Sequence, residues 1–497
     1  MKPIVTGDQM RAIDRATIDE IGIPGFTLME TAGRAVADAA LRMLDGRREP
    51  VAVVCGPGNN GGDGFVVARV LRDRGVDAIV YLAIARDAVR GDARAQLEVL
   101  ERTGGAVRLV ATSQQAAAQA RSIAQSALAI DALFGVGLAR PIEGHFEVLV
   151  AAINAAPLRL AVDIPSGLAA DTGATLGSTV IADCTVTMAA LKIALVSAPG
   201  FASCGDVHVA EIGMPASTIE AVKPRAALVE QADVPEMVPR SAALDHKGTR
   251  GHVVVIGGMA GMRGAGWLSA IAALRAGAGL CTLANDGSEP RESDAVMTAT
   301  IDDGVSKLLD GKRAVVIGPG LGTAAVQAGW IADVLTAKVA AVLDADALNL
   351  IAGDAKQLAN AACSIVITPH PGEAARLLGI TAKDVESDRL AAARKLAAIT
   401  NAVVVLKGAR TIVCERDFCW INPSGSPALA TGGTGDVLAG VIGALIAQGA
   451  SPLDGARAGA FVHGRAGELL AARHGARGAL STDLPAAIAD VIADVRA

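Results

Sequence analysis

Short runs of β-branched and aliphatic residues recur along the chain, each followed by a stretch rich in glycine, proline or aspartate and then by a longer amphipathic segment dominated by alanine. In the first half these runs are Val51–Val54, Ala78–Leu82, Leu128–Ile130 and Arg159–Val162. In the second they are Val253–Ile256, Ala314–Ile317, Ala340–Leu343, Ser364–Ile367 and Val403–Leu406. Nearly unbroken apolar runs suit strands buried on both faces, and strand–helix–strand order requires parallel pairing with right-handed crossovers. The predicted class is α/β throughout. Ligands in open α/β sheets bind outside the carboxyl ends of the strands, which directs attention to the loops that follow each run.

The pattern is interrupted between Ile219 and Pro239, where Met214-Pro215, Lys223-Pro224, Val234-Pro235 and Val238-Pro239 punctuate a charged stretch. This reads as a linker or lead-in strand and separates a domain of residues 1–220 from one of residues 221–497. Each is long enough to bury its own core. The chain is 52% hydrophobic but only 2% aromatic, so those cores must be built from Ala, Val, Leu and Ile. Small apolar helices over such sheets lead us to expect a homo-oligomer.

A net charge of −6 without a basic stretch argues against a nucleic-acid partner. Met1–Asp8 lacks the apolar core of a signal peptide, and every long apolar run is broken by glycine or charge, so no membrane partner and a cytoplasmic location are expected. The seven cysteines show no Cys-x-x-Cys spacing and read as small buried hydrophobes.

Two glycine-rich loops end in aspartate. The first, Gly56-Pro-Gly-Asn-Asn-Gly-Gly-Asp63, follows a strand and opens a helix. Its glycine spacing satisfies a dinucleotide fingerprint, but no acid ends the next strand to hold a ribose hydroxyl, and its asparagines suit a cation or polar head group better. Asp131 and Asp163-Ile-Pro-Ser166 also stand at strand ends, and each alone could be a loop cap. Together with Asn60 and Ser166 they could surround one hard cation. The second loop, Thr431-Gly-Gly-Thr-Gly-Asp436, opens an apolar helix whose N-terminal amides favour a phosphate, while Asp436 is placed to take a proton. No Gly-x-x-x-x-Gly-Lys-Ser/Thr motif exists, which excludes the P-loop class. Lys407–Thr411, His370, Asp344, Asp346 and Glu373 follow other strands and are candidates for nucleotide, magnesium or water contacts.

Gln9–Asp14, Gly22–Gly25, Leu28-Met-Glu30, Gly56–Gly64 and Val162–Gly167 resemble, across residues 5 to 215, the epimerase domain of bifunctional NAD(P)H-hydrate repair enzymes, on a Rossmann-like three-layer fold. From about Pro224 the chain is similar to their dehydratase domain, on a ribokinase-like three-layer fold. The motifs are Gly251–Gly258, Ala272–Gly279, Gly318–Gly322, Asp344–Asn349, Thr368–Glu373 and Thr431–Gly440. The resemblance implies repair of NADH and NADPH hydrated at ring carbon 6, by exchange of R and S epimers and nucleotide-dependent dehydration of the S form, with ADP favoured over ATP.

For the epimerase it implies potassium on Asn60, Asp131 and Ser166. The hydrate would lie against Asn59, Asn60, Gly61, Gly62, Asp63, Gly135, Val136, Gly137, Leu138, Ala139, Arg140, Pro141 and Asp163, with Asp163 moving the proton. For the dehydratase it implies hydrate on Ala265, Gly322, His370 and Asp436, and nucleotide with magnesium at Lys407, Gly408, Ala409, Arg410, Thr411 and Gly435, with Asp436 as base. Thr31 and Leu429 depart from the family pattern, which has asparagine and methionine there, and the 285–293 segment is unusually polar. The loops by themselves also fit a hydroxymethylpyrimidine or sugar kinase carrying a silent nucleotide-binding module, or, on the first loop alone, a dehydrogenase.

Overall fold

Strands without polar alternation must be covered on both sides, and each half of the chain meets that requirement with helices on both faces of a sheet. The computed structural model describes residues 1–47, 49–287, 292–302 and 304–496. It divides into two compact units, Lys2–Arg225 and the chain from Ala226 onward. Residues 288–291 of the polar 285–293 segment lie outside the described residues.

In the first unit seven parallel strands run in the order Ala106–Leu109, Ala78–Leu82, Val51–Cys55, Leu128–Ala132, Arg159–Val162, Cys184–Met188 and Asp206–Ala210. Alternate residues of one strand feed two cores. Val51, Val53 and Cys55 pack with Val36, Phe65 and Leu71 on one face, and Ala52 and Val54 with Ile123, Leu149 and Ile153 on the other. Each such aliphatic side chain contributes roughly 1.5–3 kcal/mol when fully buried. The strands the apolar runs mark are all present. Those they miss are the polar-alternating Asp206–Ala210, the mixed Cys184–Met188 and the exposed edge Ala106–Leu109.

The proline-punctuated stretch contributes a short strand, Ala226–Leu228, and a helical turn, Val234–Met237. The turn differs from the linker or strand expected there. Pro235 is tolerated because it lies in the first turn, where its missing N–H would have had no partner.

In the second unit parallel strands run Met297–Thr300, Leu280–Asn285, His252–Ile256, Ala314–Ile317, Ala340–Leu343, Ile365–Ile367 and Val403–Leu406. An antiparallel hairpin, Ile412–Glu415 and Phe418–Ile421, continues the sheet, and Ala226–Leu228 pairs parallel to its far side. Its turn has Arg416 at φ +55°, where no glycine or asparagine signals a reversal. Val253, Val255, Val316 and Val342 pack under the helices Arg263–Arg275, Thr434–Ala447, Pro452–His474 and Leu484–Arg496. Val254, Ile256, Val315 and Ile317 are buried on the opposite face. A Cβ at Gly440 would lie 2.1 Å from the carbonyl oxygen of Ser269, so this glycine lets two helices touch.

Candidate active sites

Val51–Cys55, Leu128–Ala132 and Arg159–Val162 are neighbours in their sheet, so the loops leaving their carboxyl ends converge. They wall a cavity of about 650 Å³ lined by Asn59, Asn60, Asp63, residues 135–140, Asp163 and Lys192, with Asp14 and Met29 opposite. Gly61 and Gly62 are not part of that lining. A Cβ at Gly61 would fall 2.2 Å from the carbonyl oxygen of Gly56, and one at Gly62 2.5 Å from Met29 Sδ, so both serve the tight entry into the helix Asn59–Asp73. Pro141 lies beyond the lining too, and Thr31 turns back to its own helix, donating to the Thr27 carbonyl at 3.0 Å.

Asp131 is wholly buried. Its carboxylate accepts from Ser166 N at 2.7 Å, Ser166 Oγ at 2.7 Å and Leu133 N at 3.1 Å. Burial, opposed by these hydrogen bonds, pushes the carboxyl up to about 6. No cationic side chain is among the groups acting on it, so the ionised form lacks a counter-charge. Ser166 Oγ also meets the backbone of Phe134, and the buried Asn60 amide nitrogen has no hydrogen-bond partner among the described residues. A buried carboxylate in want of a positive charge, beside a hydroxyl and a carboxamide, is a donor set that fits a monovalent cation.

Asp163 holds a positive φ of +65°, a conformation that costs a non-glycine residue about 1 kcal/mol or more and is kept only where surroundings enforce it. Its Oδ1 accepts from Lys192 Nζ at 2.7 Å and Thr187 Oγ1 at 3.0 Å. A Cβ placed on Gly135 would lie 3.0 Å from Asp163 Oδ2 and 3.4 Å from Asn60 Oδ1, so only glycine leaves this approach open. Lys192 and Asp14 were absent from the sequence-level candidates. The available signal for Lys192 is a single charge inside the apolar run Met188–Val196, since a lysine is almost never fully buried unless paired.

In the second unit the carboxyl ends of Ala340–Leu343, Ile365–Ile367 and Val403–Leu406 are adjacent. They bring together Asp344, Thr368, His370, Glu373 and Lys407. Lys407 Nζ lies 2.6 Å from Asp344 Oδ1 and 3.8 Å from Glu373 Oε2, and Thr368 Oγ1 donates to Asp344 at 2.8 Å. Burial lowers the Lys407 pKa, but Asp344 and Glu373 raise it more, so the ammonium is retained. Its side chain faces this acidic cluster rather than open solvent. His370 caps the helix Pro371–Leu378: Nδ1 accepts from Gly372 N at 3.0 Å, which leaves the ring proton on Nε2. Burial and the nearby Lys407 lower its pKa, so the ring stays neutral.

Gly432, exposed, and Gly435, half-buried, flank the start of the helix Thr434–Ala447, whose cap Gly433 has φ +91°. A Cβ on Gly435 would stand 3.3 Å from Lys407 Nζ. Asp436, in the first turn, is pushed up to about 7 by burial and by Asp344, with Lys407 opposing and Asp346 and Glu373 adding. Asp346 Oδ2 accepts from Gly322 N at 2.8 Å, and Ala265 lies beside Gly320 in the same loop cluster. The Lys407–Thr411 loop is held from behind by buried Arg389, which donates to the carbonyls of Leu406 and Lys407. Gly408, at φ +136°, has no room for a Cβ beside that guanidinium, and Arg410 donates to the Pro423 carbonyl at 3.1 Å. Ala409 is exposed and Thr411 half-buried. Among the described residues no three His, Cys, Asp or Glu side chains form a metal cage.

Two α/β units, each with polar and acidic loops gathered at the carboxyl edge of a parallel sheet, define a two-domain α/β enzyme. A family model described as YjeF-related protein N-terminus matches residues 25–194, and one described as NAD(P)H-hydrate dehydratase matches residues 253–490. The chain is 38% identical over 502 residues to the bifunctional NAD(P)H-hydrate repair enzyme Nnr of Moorella thermoacetica, covering 97% of this chain and 95% of that one. It is 38% identical to the Coxiella burnetii protein of the same name, with 96% of each chain covered. Among solved structures, the ADP/ATP-dependent NAD(P)H-hydrate dehydratase of Bacillus subtilis, co-crystallised with ATP and Mg2+, is 29% identical over 54% of this chain and 98% of that one, with a TM-score of 0.47. The chain belongs to the family of bifunctional NAD(P)H-hydrate repair enzymes.

Proposed function

We propose that the chain restores NADH and NADPH from their C6 hydrates, exchanging R and S epimers in the first unit and dehydrating the S form in the second with ADP or ATP as co-substrate. End-to-end membership of the repair family supports both halves. The observation that carries the chemistry is Asp436, a carboxyl tuned to about 7 in the first turn of a helix whose preceding glycines leave the amide groups open.

In the dehydratase, Asp436 takes the proton of the C6 hydroxyl as that oxygen attacks the terminal phosphorus of the nucleotide. The transferring phosphoryl group lies against the amides at Gly432–Gly435, which point where charge develops. Phosphate then leaves C6, pushed by the ring nitrogen lone pair, and loss of a proton from C5 restores the dihydronicotinamide. His370, Ala265 and Gly322 orient the hydrate, and Lys407, Gly408, Ala409, Arg410, Thr411 and Gly435 shape the nucleotide side. Asp346 would help hold a magnesium ion carried by the nucleotide phosphates, which would supply charge neutralisation. In the epimerase, Asn60, Asp131 and Ser166 would hold a potassium ion, which would supply the counter-charge Asp131 lacks, while Asp163 handles the substrate proton.

The test is to mix the full chain with both epimers of hydrated NADH, magnesium, potassium and either ADP or ATP, and follow recovery of dihydronicotinamide absorbance. Full recovery is expected, with phosphate transferred and then released. A stable phosphorylated product would point to a small-molecule kinase instead, and no recovery with either nucleotide would reject the dehydratase reading.

A further inference from the structure

The epimerase cavity is lined by four carboxylates, Asp14, Asp63, Asp92 and Asp163, by two guanidiniums, Arg11 and Arg140, and by a single ammonium, Lys192. Lys192 is 1% exposed, and its three N–H bonds are all in use, to Asp163 Oδ1 at 2.7 Å, Thr187 Oγ1 at 2.9 Å and the Met188 carbonyl at 2.8 Å. It therefore neither reaches a substrate nor has a free hydrogen to give. Parallel pairing of Lys2–Val5 with Leu191–Lys192, in which Val5 stands opposite Lys192, holds it there. What it does is fix Asp163: Oδ1 is bound, while no hydrogen bond among the described residues uses Oδ2, the oxygen beside Gly135.

Asp63 has the opposite surroundings. It is buried on the second turn of the helix Asn59–Asp73, lines the same cavity, and no hydrogen bond to its carboxyl is found among the described residues. Burial first, then Asp163 and Asp14, drive its pKa well upward against the weaker pull of Lys192. Cys55, also buried, faces it as a neutral thiol whose pKa is raised too. Asp14, half-buried on the helix Gly7–Arg15, has more access to water.

We propose that Asp163 and Asp63 work as a base and acid pair in epimer exchange by ring opening, with Lys192 as the positioning residue that decides which carboxyl is the base. This rests on the epimerase reading given above. Ring carbon 6 of the hydrate carries both a hydroxyl and the ring nitrogen, so it is a masked aldehyde. Asp163 Oδ2 takes the hydroxyl proton, the C6–N1 bond breaks with its electron pair going to N1, and N1 takes the proton of Asp63. The open-chain aldehyde rotates about C5–C6. Closure reverses each transfer: N1 attacks the other face of the carbonyl, its proton returns to Asp63, and the new alkoxide recovers the proton from Asp163. No external reagent is consumed. One carboxyl paired with an ammonium and another buried without one is the unlike pair that acid–base chemistry at one carbon requires.

The test uses the full chain without nucleotide, in water enriched in oxygen-18, with pure R hydrate as substrate. Ring opening keeps the original C6 oxygen, so inverted molecules should carry little label beyond that of uncatalysed exchange. One labelled oxygen per inversion would mean loss and return of water, and would overturn the proposal. Asp63→Asn should lower the exchange rate about 100-fold or more, the size expected of a lost general acid. Lys192→Met should lower kcat with KM kept within about twofold, and Thr187→Val should do so more weakly if Lys192→Met does not fold. Wild-type exchange in Asp63→Asn, or a loss in Asp14→Asn alone, would overturn the assignment of the acid. If the wild-type chain itself gives no exchange above the spontaneous rate, the epimerase reading fails, which is a different result.

Discussion

Asp436, half-buried, and Asp131, fully buried, are both carboxyls with raised pKa values, yet the consequences differ. Asp436 must be ionised to act as a base, so kcat/KM for dehydration of the S hydrate should rise with pH through about 7. In Asp436→Asn the rate should fall by roughly 100- to 10,000-fold, read by the same absorbance assay. For Asp131 the folded pKa of about 6 lies above the ordinary 3.8, so its contribution to stability is fully present below about 4 and is lost as pH rises through about 6. A potassium ion bound to the ionised form, as proposed above, would offset that loss. Thermal melting of the first unit should therefore rise with KCl, relative to choline chloride, at pH 7.5, and the gain should vanish near pH 5 and in Asp131→Asn.

The two glycine loops are built to different constraints. At Gly61 a Cβ would meet backbone at 2.2 Å, which no side-chain movement relieves. Gly61→Ala should destabilise the first unit at the upper end of about 1–3 kcal/mol, measured by denaturant melts. At Gly435 the nearest atom is the end of a flexible lysine at 3.3 Å, and alanine favours a helix by up to about 1 kcal/mol. Gly435→Ala should fold at least as well as the parent while raising KM for the nucleotide, because the methyl occupies the space in front of the helix amides. A packing role for that glycine would give the reverse pattern.

Each unit has its own hydrophobic cores and its own cluster of strand-end loops, so the activities can be separated by substitution in the intact chain. With an epimer mixture and nucleotide, Asp163→Asn should consume the S fraction at the parent rate and the R fraction only at the spontaneous rate, giving a biphasic progress curve. Asp436→Asn should equilibrate the epimers without restoring absorbance. A monophasic curve in Asp163→Asn would mean that epimer exchange does not depend on that carboxyl.

The apolar runs and the loops that follow them made the α/β class, nine of the parallel strands and most loop residues legible, because a strand buried on both faces and a glycine turn leave short-range marks. Asp131 and Asp163 could be picked out because each stands directly after such a run, Ser166 and His370 because they lie in the loop just past one, and Asp436 because it closes a glycine-rich loop. The hairpin after Leu406 and the edge strands left no such mark. Nor did the pairing of Lys192 with Asp163, of Lys407 with Asp344 or of Arg389 with the Lys407 carbonyl, since those partners are 29, 63 and 18 residues apart. Which carboxyl is compensated and which is left without a cation depends on desolvation and on charges brought near by strand order. These are properties of the folded arrangement, and they give different surroundings to aspartates that look alike in the chain.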